Sequence, residues 1–433
     1  MGHTEFLYAQ YLNHPVICTD TRAISEGCLF FALKGDNFDA NTFAVEALAA
    51  GAFLAIVDDP KFAGVENMLL VPDVLIMLQD LARHHRQQLN IPVIGLTGSN
   101  GKTTTKELIN AVLSEKYKTY ATKGNLNNHI GVPLTLLAIG HDIEIAVVEM
   151  GANHQLEIEL LCSIAQPTHG LITNVGMAHL DGFGGFEGVK KGKAELYTYL
   201  KQHEGFAFIN RDNQHLLEMA AAAGLNKIVY YGTGTENTVS GTLIQSDPFL
   251  ELSWSAGKEK TQTITQLTGS YNFENMLAAV CIGYFFGLNT VEIQSGIAGY
   301  NPKNNRSQLS KTERNTVICD FYNANPSSML AAIDNLNAIS GNHKVAILGD
   351  MFELGPESTV QHQLIVNHAA DRASGKLIFI GKHFKAVEEP DKGLFFDNPA
   401  EAGAYLKDNP IDQSLILLKG SRGMALEKLL PLL

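Results

Sequence analysis

The stretch IPVIGLTGSNGKTTTKELINAVLSEKY, residues 91–117, reads in three parts. IPVIGLT is a short apolar run, as a buried strand is; GSNG is a glycine turn; KELINAVLSEKY spaces its apolar residues as a helix does. Strand, glycine turn and helix in that order make a phosphate cradle. Glycines let backbone N–H groups face phosphate oxygens, and the helix N-terminus adds its positive dipole end. Lys102 can reach β- and γ-phosphates, and the Thr103 hydroxyl can ligate Mg²⁺. A GK[ST] tripeptide alone would also fit a plain strand–turn–helix connection; the flanking elements and the two glycines favour phosphate. The common spacing places a glycine where this chain has Leu96, and Gly98 stands instead. The loop is therefore a shorter variant, which argues against ordinary P-loop kinases and GTPases.

Outward from this loop the same alternation continues. IEIAVVEM (143–150), HGLITNV (169–175) and GFAFIN (205–210) are strand-like, with helical patterns between them, the signature of a parallel sheet. Residues 228–267 differ: IVYYG, GTLIQ, FLELSW and TQTITQL predict a short antiparallel appendage, followed by a helix near 272–286 and the polar stretch NPKNNR (301–306). Upstream, CLFFAL (28–33) and FLAIVDD (53–59) predict strands around a helix in 41–52, capped by Asn41 or Thr42 and ended by Gly51. Downstream, NTVICDFY, KVAILGD, KLIFIG, KGLFFD and SLILLKG alternate with helical runs such as SSMLAAIDNLNAI, a doubly wound pattern. The expectation is an α/β chain of three domains: a small α/β domain over 1–88, a central parallel-sheet P-loop domain over 89–304 and a Rossmann-like domain over 305–433.

Composition narrows the function. The chain has 433 residues, 45% hydrophobic and 18% charged, so a disordered chain is excluded. A net charge of −13 disfavours a sequence-independent nucleic-acid binder, which needs a basic surplus. No apolar run reaches the ~18 residues of a membrane span, so no membrane insertion is expected, and the opening MGHTEFLYAQYLN lacks a signal-peptide core. Five scattered cysteines with no CxxC pair read as reduced thiols of a cytoplasmic protein, with neither zinc site nor disulfide framework.

Other candidates lie at strand ends. Glu149 closes an apolar strand, where a carboxylate points into the ligand crevice and could hold Mg²⁺; a solvated or capping acid is the plain alternative. His179 follows another strand end before a glycine-rich loop. Lys191 and Lys193 precede a helix, and either could neutralise phosphate or simply be solvated. Asn125, Asn127 and Asn128 could read amide, sugar or phosphate groups, or stabilise a polar turn.

TGSNGKTTT (97–105), EMGANH (149–154), ITNVGMAHLDGFG (172–184), KAE (193–195), GSYNFENMLAA (269–279), DFYNANPSSM (320–329), LGDMFELG (348–355) and LKGSRGM (418–424) resemble the Mur ligase family, ATP-dependent ligases that extend the peptide of the cell-wall precursor. TDTRAISEGCLFFALKGDNFDA (19–40) is similar to that family's UDP-sugar domain, and the short phosphate loop is the family's form. NLNNHIGVP, YNANP and LGDMFELG resemble the type that adds D-alanyl-D-alanine to UDP-N-acetylmuramoyl-tripeptide. The sibling that adds the third residue usually has a His-containing motif where this chain has Tyr322–Pro326, and no DNPR-like signature is present.

The resemblance implies ATP, two Mg²⁺ ions and an acyl-phosphate intermediate. Lys102, Glu149, His179 and Lys193 would form the catalytic set, with Thr103 and Glu149 on a first Mg²⁺ and His179 and a carbamylated Lys193 on a second. Gly98, Ser99, Asn100, Gly101, Lys102, Thr103 and Thr104 would bind the phosphates. Asn272 and Asn275 would lie on the adenine side, Asp320 and Asn323 near the ribose, and Arg306 would pair with phosphate. Thr21, Arg22, Lys34 and Gly35 would hold the UDP-sugar, and Asn125, Asn127 and Asn128 would lie near the sugar–peptide junction. Asn325, Lys419, Ser421 and Arg422 would contact substrate from the third domain, in a protein expected to act as a monomer. Two rival readings are a folate polyglutamate ligase, which shares the loop form, and a non-catalytic nucleotide-binding scaffold.

Overall fold

The computed structural model describes residues 2–341, 343–372 and 375–433, and its backbone is organised around three main sheets. The first is parallel, with β1 (Ile17–Cys18), β2 (Leu29–Phe31), β3 (Leu54–Val57) and β4 (Met68–Leu70) in that order. Helix α1 (Val74–Gln88) leads from it into the second sheet. Its buried face, with Val74, Leu78 and Leu81, joins one core with Leu29 and Ile56 on one side and Val93 and Val148 on the other.

The second sheet has nine strands: β5 (Val93–Thr97), β6 (Thr119–Ala121), β7 (Ile145–Glu149), β8 (His169–Ile172), β9 (Phe206–Asn210), β10 (Ile228–Gly232), β11 (Val239–Gln245), β12 (Glu251–Ala256) and β13 (Glu259–Ile264). Their spatial order is β13-β12-β11-β10-β9-β8-β5-β7-β6. β5 and β7 are buried along their whole length, so they are apolar without alternation, as strands covered on both faces must be. The chain winds from β5 to β6 and β7 on one side, then crosses to β8 on the other. β5 is thus the switch point, and the loops after β5, β7 and β8 open at one edge.

Residues 228–267 form the end of this sheet; the expected antiparallel pairing holds for their later strands, but the first two join the sheet in parallel. β10 pairs in parallel with β9, β11 joins β10 in parallel through Tyr231↔Val239, and the antiparallel pairings are β11 with β12 and β12 with β13. The reason is burial: Val239, Leu252 and Trp254 pack in one core with Met276 and Val280 of helix α5 (Asn272–Phe285), so these strands need the sheet's helical cover. A second expectation also changes. The turn before Ala44–Ala49 is capped by Asp39, whose carboxylate accepts the Asn41 N–H at 2.9 Å. Asn41 is drawn inward instead, donating to the Asp58 carboxylate at 2.8 Å and accepting the Asp58 N–H at 3.0 Å.

The third sheet holds β14 (Gln308–Lys311), β15 (Thr316–Asp320), β16 (Lys344–Gly349), β17 (Lys376–Ile380), β18 (Leu394–Phe396) and β19 (Leu415–Lys419). The order is β14-β15-β19-β16-β17-β18, parallel apart from β14. Asp320 and Lys419 are register partners at the C-terminal edge of β15 and β19.

The helix that follows the glycine turn, α2 (Lys102–Leu113), is held by α5 and by α6 (Thr290–Gly299). Contact is close at Gly296, where a Cβ would lie 2.5 Å from Val112 Cα and 2.9 Å from the Ala111 carbonyl, both backbone atoms. Gly296→Ala should therefore push α6 off α2 and lower stability by about 1–3 kcal/mol, read as a shifted urea midpoint at constant slope. An unchanged midpoint would mean the helix contact yields freely.

Candidate active site

The three strand-end loops of the second sheet and the facing edge of the third enclose a cleft of about 820 Å³. Its floor is the glycine turn. Gly98 has φ +146° and Gly101 has φ +76°, conformations that L side chains rarely adopt. A Cβ on Gly98 would overlap the Thr173 hydroxyl, and one on Gly101 would lie 2.7 Å from Asn275 Oδ1. The turn is fastened to the loop after β8. Ser99 N–H donates to the Asn174 carbonyl at 3.0 Å, Asn100 N–H to Asn174 Oδ1 at 2.9 Å, and Thr173 Oγ1 donates to the Asn100 carbonyl at 2.6 Å.

Lys102 begins α2 and folds its ammonium back onto the turn, donating to the Gly98 carbonyl at 2.7 Å and to Ser99 O at 3.2 Å. Burial lowers its pKa to about 8, with Glu149 pulling it up and Arg306 pushing it down. Glu149, 2% exposed, sits where β7 ends. Its Oε1 accepts Asn127 Nδ2 at 2.9 Å and Thr103 Oγ1 at 3.3 Å, while Oε2 is buried without a protein partner among the described residues. That orphaned oxygen beside a hydroxyl fits Mg²⁺. Among the described residues no three His, Cys, Asp or Glu side chains converge, so a cage made by protein alone is absent. Mg²⁺ commonly takes only one or two carboxylates and completes its shell with water and substrate phosphates.

His179 lines the cleft in a left-handed backbone conformation, φ +53°, and its Nδ1 pairs with the Glu353 carboxylate of the third sheet's loops. That imidazole holds the Glu353 carboxyl below its ordinary range. Lys193 is 1% exposed on helix α4 (Phe186–Gln202), whereas Lys191 faces solvent. The Lys193 ammonium donates to the Ala152 carbonyl at 3.3 Å and lies 5.0 Å from the Phe183 ring centre. Burial, then repulsion from Lys102, pushes its pKa well below the ordinary lysine value. Glu195, two residues on along the same helix, accepts the Leu156 and Glu159 N–H groups at 2.6 and 2.9 Å and so caps helix α3 (Glu157–Ala165) behind the cleft wall.

The far wall comes from the third sheet. Asp320 Oδ2 accepts Lys419 Nζ at 2.7 Å and Oδ1 accepts Ser307 N–H at 3.2 Å. Asn305 and Ser307, both at positive φ, flank Arg306, whose guanidinium lies 3.9 Å over the Tyr322 ring and whose Nε is buried without a partner among the described residues.

The cleft thus gathers Ser99, Asn100, Gly101, Lys102, Thr103, Thr104, Asn125, Asn127, Asn128, Glu149, His179, Asn272, Asn275, Arg306, Asp320, Asn323, Asn325 and Lys419 of the sequence-derived candidates. Several are already engaged. Asn128 Oδ1 accepts Gly131 N–H at 2.8 Å, Asn272 donates to the Thr268 carbonyl at 2.8 Å, and Asn323 Oδ1 accepts Ala324 N–H at 2.9 Å. Gly98 and Lys193 lie behind the lining. Ser421 is buried, its hydroxyl accepting Phe352 N–H at 2.9 Å, and Arg422 lies outside the lining as well. Thr21, Arg22, Lys34 and Gly35 are apart, on the first sheet's loops, where Arg22 pairs with Asp20 at 2.6 Å and Lys34 with Asp58 at 2.7 Å. Sequence reasoning missed Asn174, Tyr271, Tyr322 and Glu353. Asn174 lay inside ITNVGMAHLDGFG, from which only His179 was drawn, and Tyr322 inside YNANP.

Comparison with known proteins agrees with this architecture. Residues 96–283 match the Mur ligase middle domain and residues 305–422 the Mur ligase glutamate ligase domain. The chain is 38% identical over 438 residues to the UDP-N-acetylmuramoyl-tripeptide–D-alanyl-D-alanine ligase of Bacillus subtilis, covering 98% of this chain and 93% of that protein. Among solved structures it is similar to MurF from Acinetobacter baumannii, at 33% identity and TM-score 0.88 over 96% of this chain and 92% of that one. It is similar also to the MurF ligase from Thermotoga maritima in complex with ADP, at 25% identity and TM-score 0.86 over 100% and 98%.

A phosphate ligand needs the charged form of Lys102. Because that form is lost as pH rises through about 8, ATP affinity should hold below that pH and fall above it. The limiting slope is about tenfold per pH unit, read by calorimetric titration. Lys102→Arg keeps its charge and should abolish that alkaline limb; a limb that persists would assign it elsewhere.

Proposed function

The chain belongs to the Mur ligase family, and we propose that it joins D-alanyl-D-alanine to UDP-N-acetylmuramoyl-tripeptide, with ATP converted to ADP and phosphate, in cytoplasmic synthesis of the peptidoglycan precursor. The likeness along almost the whole chain to a ligase of that specificity carries the reading. The convergence of Lys102, Glu149 and His179 on one cleft supports a working enzyme over a scaffold, which need not keep them together. A division at 1–88, 89–304 and 305–433 keeps each of the three sheets whole and gives the domains their parts: UDP-sugar, ATP and amino substrate. Five unpaired, buried cysteines suit the cytoplasm, and among the described residues no helix is long and apolar enough to cross a membrane.

Amide formation from a carboxylate in water is uphill, so the carboxylate is activated first. An oxygen of the tripeptide carboxylate attacks the γ-phosphorus, the bond to the β-phosphate oxygen breaks, and ADP leaves. The dipeptide amine then attacks the acyl-phosphate carbonyl, and the tetrahedral intermediate expels phosphate as the amide forms. The first step brings two anions together, and the protein's task is to cancel their repulsion. Lys102 leaves the carbonyls of the turn for the β- and γ-oxygens, while the backbone N–H groups of residues 101–104 orient the phosphates. Arg306, pinned over Tyr322, adds a second cation to the same cleft.

Thr103 and Glu149 are the residues that would hold one Mg²⁺, and His179 and Lys193 a second. The ions, when bound, would supply positive charge to the transferring phosphoryl group. Lys193 serves that set only as a carbamate, which turns a cation into an oxygen ligand. Its burial favours the neutral amine from which a carbamate forms. Closure of the third domain on the second excludes water from the acyl phosphate.

The decisive assay follows phosphate release from ATP with UDP-N-acetylmuramoyl-tripeptide and D-alanyl-D-alanine present together, singly or not at all. Release at full rate should need both, and Lys102→Ala should lower it by about 10²–10³. Release indifferent to both substrates would overturn the ligase reading.

A further inference from the structure

Asn100 is gripped from two sides. Its backbone N–H and carbonyl are satisfied within the central domain by Asn174 and Thr173. Its side-chain oxygen is not: Oδ1 accepts Asn325 Nδ2 at 2.7 Å, a bond between residues 225 positions apart that crosses from the central sheet to the third. Asn325 is 8% exposed, and its amide is spent on two bonds. Oδ1 accepts Ser328 N–H at 2.9 Å, closing a capping box at the start of helix α7 (Pro326–Ala338), and Nδ2 goes to Asn100. Neighbouring contacts follow the same seam: Met177 N–H donates to Ser327 Oγ at 3.2 Å, and Glu353 meets His179.

We propose that Asn325 is a positioning residue for the phosphate loop: from the C-terminal domain it fixes the Asn100 side chain, so that the loop reaches its nucleotide-binding form only when that domain is docked. This differs from direct contact with substrate, the role the resemblance implied: the amide nitrogen is directed to Asn100 and the amide oxygen to Ser328. The coupling runs both ways, since whatever stabilises the loop's bound form also favours docking. The inference rests on the ATP-binding reading of the loop.

The test is a double-mutant cycle in the full chain, with the non-hydrolysable ATP analogue AMPPNP and Mg²⁺ as the probe. Asn325→Ser keeps a capping oxygen for α7 but is too short to reach Asn100, so a loss of affinity reports the tie and not the cap. Asn325→Ser and Asn100→Ala should each weaken binding by about tenfold, and the double variant should be no weaker than the worse single one. Small-angle scattering should show Asn325→Ser less compact with the analogue bound than wild type. Losses that multiply, or an Asn325→Ser affinity equal to wild type, would overturn the proposal. Should Asn325→Ser not fold, Asn325→Thr, also a capping residue, takes its place in the same cycle. Wild-type protein that fails to bind the analogue would instead overturn the ATP reading itself.

Discussion

A buried carboxylate oxygen without a protein partner among the described residues is the constraint from which the site follows. Glu149 ends a buried strand with one oxygen shared by Asn127 and Thr103 and the other without a donor among the described residues. Leaving a buried acceptor unsatisfied costs about 1–3 kcal/mol, and more for a charged group. A fold that retains such an atom next to a glycine turn has a use for a cation there. The triphosphate that the turn can bind brings the oxygens to complete the ion's shell.

The sheet order makes this meeting unavoidable. β5 lies between β7 and β8, so the glycine turn, Glu149 and the His179 loop leave the sheet side by side. Each loop is then braced by its neighbours: Thr173 and Asn174 hold Asn100, Asn127 holds Glu149, and Glu195 caps the helix behind them. The third sheet closes the remaining side with Asp320, Lys419, Arg306 and Tyr322. The chemistry is therefore a property of two packed domains, and the charges that must be cancelled lie at their boundary.

Much of this could be read from the sequence because the decisive signals are local. An apolar run, a glycine turn and a helical spacing specify β5, the turn and α2 without help from distant residues. Distance defeats such reading. Lys191 and Lys193 are about 200° apart around a helix, and only the packing of α4 against Phe183 and Ala152 decides which is buried. Strands 228–264 look like hairpins because their turns are short. Their place in the central sheet depends on the parallel pairing of β10 with β9 and on a helical cover supplied by α5. Asn325 belongs to a readable motif, yet its partner lies 225 residues away. Asp39 displaces Asn41 as a cap only because Asp58, on a neighbouring strand's exit, claims the Asn41 amide.

The most direct test of the account is a crystal structure with AMPPNP and Mg²⁺ bound. The account predicts the γ-phosphate within hydrogen-bond reach of Lys102 Nζ, with the turn's backbone N–H groups on the phosphates and the free oxygen of Glu149 directed at a metal ion. A triphosphate seated elsewhere, with the turn empty and Lys102 still folded onto the Gly98 carbonyl, would contradict it.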